Sequence, residues 1–546
     1  GADTDLTVSG GNLVLQGKAD VDGAHLSYGN LVNNGKLAIQ ASDNVLTAVN
    51  TTLSVENATF GSGSTTTFTL NTDADMTASF IKASGDIVIE NGAAFHVTSI
   101  PGVNITWKSG NPMELTLMEL TGAGTIDLGE NTLTVGGLFL TYYKNAHLVQ
   151  EGDKVVLKAE EQTDNIYAGV ADTANSMAGA NLIWEAARHG SVDQAVTDFL
   201  AALNDDMVNN PSAARRSLAA AAGSTVTSLG IAQRDSLRDQ MGWIRNRVAQ
   251  MGVNPAYVHE DMPYFHMWMQ GTGSYAKLDT KGDESGYELT TWGGTVGMDV
   301  DINDNFTAGA AFTANYGSLT ANAADTADGD LDSYYVNLFA RYQSRKWSHL
   351  LILTGGWNDA KLTRTVDYGS GSYQAHGSTT GSGFGAMYEL AYDIALNEDK
   401  SVILQPLFNA SIVTTRMDGY SESGSAGNAG LRVEDQELTT AAVAVGARLS
   451  GLMGSNVFGR EALGEIRVNV SQDMGDRRGQ ANVGFLADPS YTRPVYGAKV
   501  GSTAFQAGVG LSVPVGTQGV IFVDGNADIR SGSSSINGSI GYRYNF

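Results

Sequence analysis

The chain has 546 residues, with 66 glycines, 9 prolines, no cysteine and a formal charge of -25. That charge excludes a nucleic-acid binder, because neutralising phosphates takes clustered Lys and Arg. No stretch approaches the ~20 consecutive apolar residues of a membrane helix, which excludes a helical membrane protein but leaves a transmembrane β-barrel open, since its strands bury only alternate residues in lipid. The length allows roughly two to four domains of ordinary size. Absence of cysteine fits a chain that stays unlinked during export. The opening residues, GADTDLTVSGG, carry no basic n-region and no apolar h-region. The expectation is that a leader has been removed, or that the chain is the C-terminal part of a longer exported protein.

Residues 1–160 consist of short apolar dyads, such as Leu6-Thr7-Val8, Leu13-Val14-Leu15, Leu37-Ala38-Ile39, Leu53-Ser54-Val55, Ile87-Val88-Ile89, Ile126-Asp127-Leu128 and Leu133-Thr134-Val135. Between them lie the turn signals Gly10-Gly11-Asn12, Asn34-Gly35 and Asn91-Gly92-Ala93. Short strands at recurrent spacing suit a parallel β-solenoid, in which each coil buries its inward residues on the next; an ordinary β-sandwich is the competing reading. The scarcity of bulky aromatics favours the solenoid.

Over residues 161–211 the period becomes helical. DTANSMAGANLIWEAARHG places Met177, Leu182, Ile183 and Trp184 in one helix. SVDQAVTDFLAALNDD spaces Val192, Val196, Phe199, Leu200 and Leu203 for a second, with Ser191 as its N-cap. A longer helix over 212–250 is rich in Ala, Leu and Arg, strong helix formers. Arg215, Arg216, Arg234, Asp235, Arg238, Asp239, Arg245 and Arg247 leave it no wide apolar stripe. Such a helix is either solvated all round, as an exposed linker would be, or enclosed by polar walls.

From residue 264 to 546 the period is two. Trp292, Val296, Met298 and Val300 alternate with Gly293, Thr295, Gly297 and Asp299. Twelve strands are expected, starting near Tyr264, Tyr287, Phe306, Asp332, Trp347, Gly377, Ser401, Asp435, Arg460, Ala504, Gly519 and Ser535. Their connections alternate between tight turns, such as Asn303-Asp304-Asn305, and long Gly/Ser/Asp-rich loops. The runs approach the ~9–11 residues that cross a bilayer at a tilt. An even strand number with short turns at one end and long loops at the other is the pattern of an outer-membrane barrel. The expected fold is therefore all-β: a 12-stranded antiparallel transmembrane barrel with a lumenal helix, preceded by a short parallel β-solenoid and two helices. The last strand reads Ile540, Tyr542, Tyr544 and Phe546 toward lipid, with Arg543 and Asn545 toward a wet lumen.

With these parts in this order, residues 210–546 resemble the monomeric autotransporters of type V secretion. The resemblance rests on RDSLRDQMGWIR, MWMQGTGSY, WGGTVGMDVDINDNFTAGAAFTANYG and the terminal GYRYNF. It implies a barrel in the bacterial outer membrane that exports its N-terminal passenger to the cell surface. The helix then sits in the lumen, where Arg234, Arg238 and Arg245 meet acids such as Asp299 and Asp301, and Asp235 and Asp239 are further polar contacts. Ile540, Tyr542, Tyr544 and Phe546 would be the signal for the barrel-assembly machinery. Implied partners are outer-membrane lipid and lipopolysaccharide, that machinery, periplasmic chaperones and a host or surface ligand of the passenger. In some members the barrel cuts the helix between paired asparagines just upstream of the Leu-Arg-Asp segment. Here that place holds Leu229, Gly230 and Ile231, and Asn209-Asn210 lies before Pro211, so no cleavage of that kind is expected.

Catalytic chemistry is not legible. GDESG at 282–286 faintly resembles a serine-protease nucleophile loop, but it falls in a barrel loop and its serine is followed by no matching strand. The 8 histidines form no His-x-x-x-His pair, and without cysteine no zinc cluster is expected. No cofactor and no enzymatic activity are expected, and the passenger is read as adhesive or structural. A porin-like channel and an anchor for an enzyme upstream of residue 1 are the alternatives.

Overall fold

The computed structural model describes residues 6–8, 12–16, 25–33, 36–40, 52–70, 80–99, 112–250, 264–367, 371–398, 401–455, 461–516 and 518–546. The expected turns at Gly10-Gly11 and Asn34-Gly35 lie outside these residues.

The N-terminal dyads fall in strands, and the strands pair in parallel at long sequence steps. One ladder joins Leu6 to Leu31, His25 to Thr52 and Leu53 to Ile81. Another joins Asn12 to Lys36, Lys36 to Thr65, Thr65 to Ala94 and Ala94 to Thr132. Between the ladders Phe60, Phe68, Phe80 and Phe95 are buried. Phe60 and Phe95 meet edge-on at 5.3 Å, so aromatics do fill this interior, contrary to the expectation from composition. The antiparallel strands Met113–Leu120, Lys154–Glu161 and Tyr143–Glu151 close one end.

Four helices follow: α1 (Ala174–His189), α2 (Gln194–Asn209), α3 (Pro211–Ala222) and α4 (Ser228–Gln250). Thr173 and Ser176 form a capping box at α1. The N-cap of α2 is Asp193, which accepts from the Val196 N–H; the expected cap, Ser191, lies outside the helix. The long helix expected over 212–250 is two helices. Gly223 ends α3 in the left-handed region (φ 68°), and a 3₁₀ turn over Ser224–Thr227 leads into α4. A Cβ at Gly223 would stand 2.5 Å from Leu431 Cδ1, so both conformation and space demand glycine there.

The barrel strands are β1 (Tyr264–Leu278), β2 (Gly286–Asn303), β3 (Phe306–Asn322), β4 (Thr326–Ser344), β5 (Trp347–Asp367), β6 (Ser372–Tyr392), β7 (Val402–Met417), β8 (Gln436–Ser455), β9 (Glu461–Gly475), β10 (Thr503–Val515), β11 (Gly519–Arg530) and β12 (Ser533–Asn545). Each pairs antiparallel with the next, and β12 closes on β1 in unbroken register from His266–Asn545 to Leu278–Ser533. Closure leaves no strand edge to face lipid. β4 and β6 begin earlier than expected, at Thr326 and Ser372.

Alternation sets the two faces. Trp292, Val296, Leu338, Val445, Ile466, Ile540 and Phe546 are exposed, while Thr295, Asp299, Asn337, Arg448 and Asn545 are buried. The long loops are themselves folded. Tyr420–Ser421, Leu431–Val433, Gln480–Phe485 and Arg493–Tyr496 form a small antiparallel sheet at the long-loop end. Helix α1 lies on this sheet. The Asn175 amide brackets the backbone of Tyr496, accepting from its N–H and donating to its carbonyl, both at 2.9 Å.

Candidate functional site in the barrel bore

The bore holds α4, and the two sides of its wall hold it differently. Leu237, Met241, Ile244 and Val248 form a narrow apolar stripe on α4. It meets Tyr335, Phe339, Leu350, Ile352 and Val413 of β4, β5 and β7. The stripe can sit close because β6 presents alternate glycines inward. A Cβ on Gly381, Gly383 or Gly385 would stand 2.9 Å from Gln233 Nε2, 3.0 Å from Leu237 Cδ2 or 2.6 Å from Met241 Sδ, respectively. These three helix residues recur every turn, so the glycines act as a rail along which the helix is seated. Neutral hydrogen bonds complete this side: Gln233 donates to Asn358 (2.7 Å), Gln240 to Thr313 (2.8 Å) and Tyr335 to Ser236 (2.9 Å).

The opposite face of α4 is charged and looks at β8–β12 and at Glu389 of β6. Arg238 reaches Asp473 (2.7 Å), which also takes Arg530; Arg530 in turn grips both oxygens of Asp528 (2.7 and 2.9 Å). Deeper in, Arg245 lies 3.4 Å from Glu389, whose other oxygen accepts from Arg448 (2.9 Å). Arg448 and Arg467 share Glu465, and Arg467 also binds Asp524 (2.5 Å), which accepts from Asn246 (2.8 Å). The side chains of Arg448, Arg467 and Glu465 are at most 2% exposed, so each charge depends on its partners for solvation. Near the tight-turn end the Arg247 guanidinium stacks over Phe522 (4.8 Å) and Trp268 (5.4 Å). Between the charged face and the wall lies a cavity of about 160 Å³, bounded by Arg234, Asp239, Arg467, Asn469, Gln506 and Asp528 among others.

At the long-loop end the inward strand tips are apolar, and one core runs from them through the loop sheet into α1–α3. An ionic knot sits in this core. Arg364 forks onto Glu422 (2.9 and 2.7 Å), donates to the Ala220 carbonyl (3.2 Å) and lies 3.8 Å from Asp325. Asp325 also accepts from Thr225 in the turn between α3 and α4. Burial pushes the Asp325 carboxyl up to about 6, against the lowering pull of Arg364 and Thr225.

Residues 267–526 match the family described as Autotransporter beta-domain. The barrel is an autotransporter β-domain. It is accordingly a bacterial outer-membrane domain.

Esterase EstA of Pseudomonas aeruginosa is 32% identical over 33% of this chain and 26% of its own length. Outer membrane protein B of Rickettsia conorii is 24% identical over 99% of this chain and 34% of its own. The chain therefore spans about a third or less of the length of these curated relatives. The translocator domain of autotransporter NalP from Neisseria meningitidis shares 16% identity, with 57% of this chain and 97% of that chain covered, at a TM-score of 0.44.

The autotransporter barrel brings some of the sequence-selected residues together and separates others. Arg238 and Arg245 do meet lumenal acids, but these are Asp473 and Glu389 rather than Asp299 and Asp301. Asp301 is taken by His266 (3.0 Å), and Asp299 lies 3.9 Å from Arg543. Arg234 turns back onto its neighbour Asp235 (2.6 Å), which also accepts from Tyr287. Asp239 accepts from Asn537 (3.1 Å). Ile540, Tyr542, Tyr544 and Phe546 all face outward. Ser285 of GDESG directly precedes β2, and its hydroxyl is engaged by the Gly286 carbonyl (2.9 Å) and Ser228 (3.1 Å). The glycine rail was not singled out from sequence; the signal was the alternating Gly381-x-Gly383-x-Gly385.

Proposed function

We propose that this chain is the export and anchoring unit of a surface protein. Its barrel passes the N-terminal region through the outer membrane and then holds it outside, with the parallel ladders between Leu6 and Val135 serving as a β-solenoid stem. The observation that carries this reading is the path of the chain. The upstream helices rest on the long loops, α4 runs down the bore, and β1 starts at the tight-turn end. Long loops face outward in outer-membrane barrels, so the stem belongs outside. Parallel coils that each add one neighbour interface supply a folding free energy that draws the chain outward.

The outward Ile540, Tyr542, Tyr544 and Phe546 suit recognition by the barrel-assembly machinery through an edge strand, after transit with periplasmic chaperones. Lipopolysaccharide would surround the outer half of the barrel, and the stem would present an adhesive or structural surface to a host or neighbouring cell. The passenger stays attached: Leu229, Gly230 and Ile231 are packed in the mouth, and Asn209-Asn210 lies at the α2–α3 junction outside the bore.

Protease added to intact cells tests this. Cleavage between residues 112 and 162 with the barrel protected is the expected result. A stem digested only after the outer membrane is permeabilised would overturn it. A second reading is favoured by the relatives named as Esterase EstA and Extracellular serine protease, each matching 33% of this chain: the same unit would anchor an enzyme lying upstream of residue 1 in a longer protein.

A further inference from the structure

The bore carries two chemistries stacked along its axis. At the long-loop end Leu278, Leu289, Leu319, Leu331, Leu362 and Leu438 point inward, each no more than 3% exposed. They pack in one cluster with Leu218, Val226, Leu229 and Ile231 of the α3–α4 junction. On the side where β9–β12 offer polar tips, Val495, Ala498 and Val500 of the β9–β10 loop join the same cluster and complete the ring. Below it, the cavity of about 160 Å³ runs beside α4 from Arg234 to Asn246, against β8–β12 and against Met387, Asn409 and Ser411 of β6 and β7. The cavity has room for several waters and polar atoms to hold them, among them Arg467 Nε and Asn469 Oδ1, which have no protein partner. The charged helix therefore does not fill the bore at its own level.

An ion in that lower zone keeps water and fixed charges around it. An ion entering the leucine ring would shed its hydration among apolar side chains, where the nearby charges of Arg364, Glu422 and Asp325 are already taken up by one another, and a hydrophobic constriction blocks conduction by excluding water. We propose that the apolar collar, seated on the α3–α4 junction, is the permeability barrier of this barrel, and that the charged stretch of α4 orients the helix without sealing the pore. The inference rests on the barrel's place in a membrane and is independent of whether the stem is exported.

Single-channel recording of the full chain in planar bilayers tests it, with the heat-dependent gel shift of folded barrels as the check on folding. Leu289→Asn with Leu362→Asn should raise conductance about tenfold or more, by wetting the ring. Arg238→Gln with Asp473→Asn should leave conductance at the unsubstituted level. A sealed collar variant that is folded, or a charge variant that leaks as much as the collar variant, overturns the proposal.

A gentler pair keeps the test usable if the double Asn variant does not fold. The chain has no cysteine, so single cysteines report without background. A small water-soluble thiol reagent should modify Ser471→Cys in the cavity wall and spare Ala321→Cys in the collar. Equal labelling of the two sinks the dry-ring idea.

Discussion

The two walls of the bore hold one helix by opposite physics. Most of the β4–β7 wall is dry: alternate glycines let the helix approach, and apolar side chains fill the contact. The β8–β12 wall, joined by Glu389 of β6, is wet, with charges that answer one another beside a cavity that has room for water. The dry wall gains by burying apolar surface, at about 25 cal/mol per Å². The wet wall must first offset the desolvation of its ions, so its net stabilisation is small although its orienting force is large. The difference teaches that position and stability are set by different sides of the same helix.

The sharpest way to break this comparison is to unbalance the wet wall. Arg467→Met leaves Glu465 and Asp524 without their shared cation, and should destabilise the folded barrel by about 3–5 kcal/mol. Replacing Arg467, Glu465 and Asp524 together by apolar residues of similar size should be near neutral by the same reasoning. Thermal midpoints of the folded band on gels report both, and equal losses in the two variants would show that the ions stabilise outright.

On the dry wall, Leu237→Ala should cost about 2–5 kcal/mol, because the cavity it leaves is fully enclosed. Its loss should persist in high salt. Next in size, Gly383→Val should cost about 1–3 kcal/mol by pushing Leu237 off the rail, read as faster hydrogen exchange over residues 233–241. Exchange unchanged there would mean that the helix has slack against β6.

The smallest effect concerns the ionic knot at the mouth. Asp325 holds its proton more tightly in the folded state, up to about 6 against 3.8 unfolded. Between those two values the folded state binds more protons, so stability falls as pH rises across this window. Arg364 and Glu422 face the same carboxyl. In Asp325→Asn the slope of the thermal midpoint between pH 4 and pH 6 should flatten, and an undiminished slope would assign it to another group.

Much of this architecture was legible before the coordinates. Most strand starts, though not those of β4 and β6, the short-turn and long-loop ends and the facing of Arg543 against Tyr542 follow from a period of two, because closure and lipid together force it. What alternation could not reveal is how far along a strand the inward side changes character. Leu278 and Trp268 fall on the same row, and only the cap of α1–α3 makes the upper tips a dry ring. Asp473 and Glu389 lie far from Arg238 and Arg245 in sequence and meet them through barrel register alone. The narrow stripe of Leu237, Met241, Ile244 and Val248 was hidden among charges, although its i, i+4, i+7 spacing was present. Gly223, inside an alanine-rich run, carried the signal for the helix break.

The closing seam has a consequence for biogenesis. β1 pairs with β12, and the final N–H, that of Phe546, donates to the Phe265 carbonyl (3.0 Å). The first strand of the cylinder thus waits for β12 to be made, and until then the sheet carries two bare edges that invite pairing with other chains. Partners so distant along the polymer meet slowly, which makes a nascent copy of this protein dependent on whatever shields those edges during the delay.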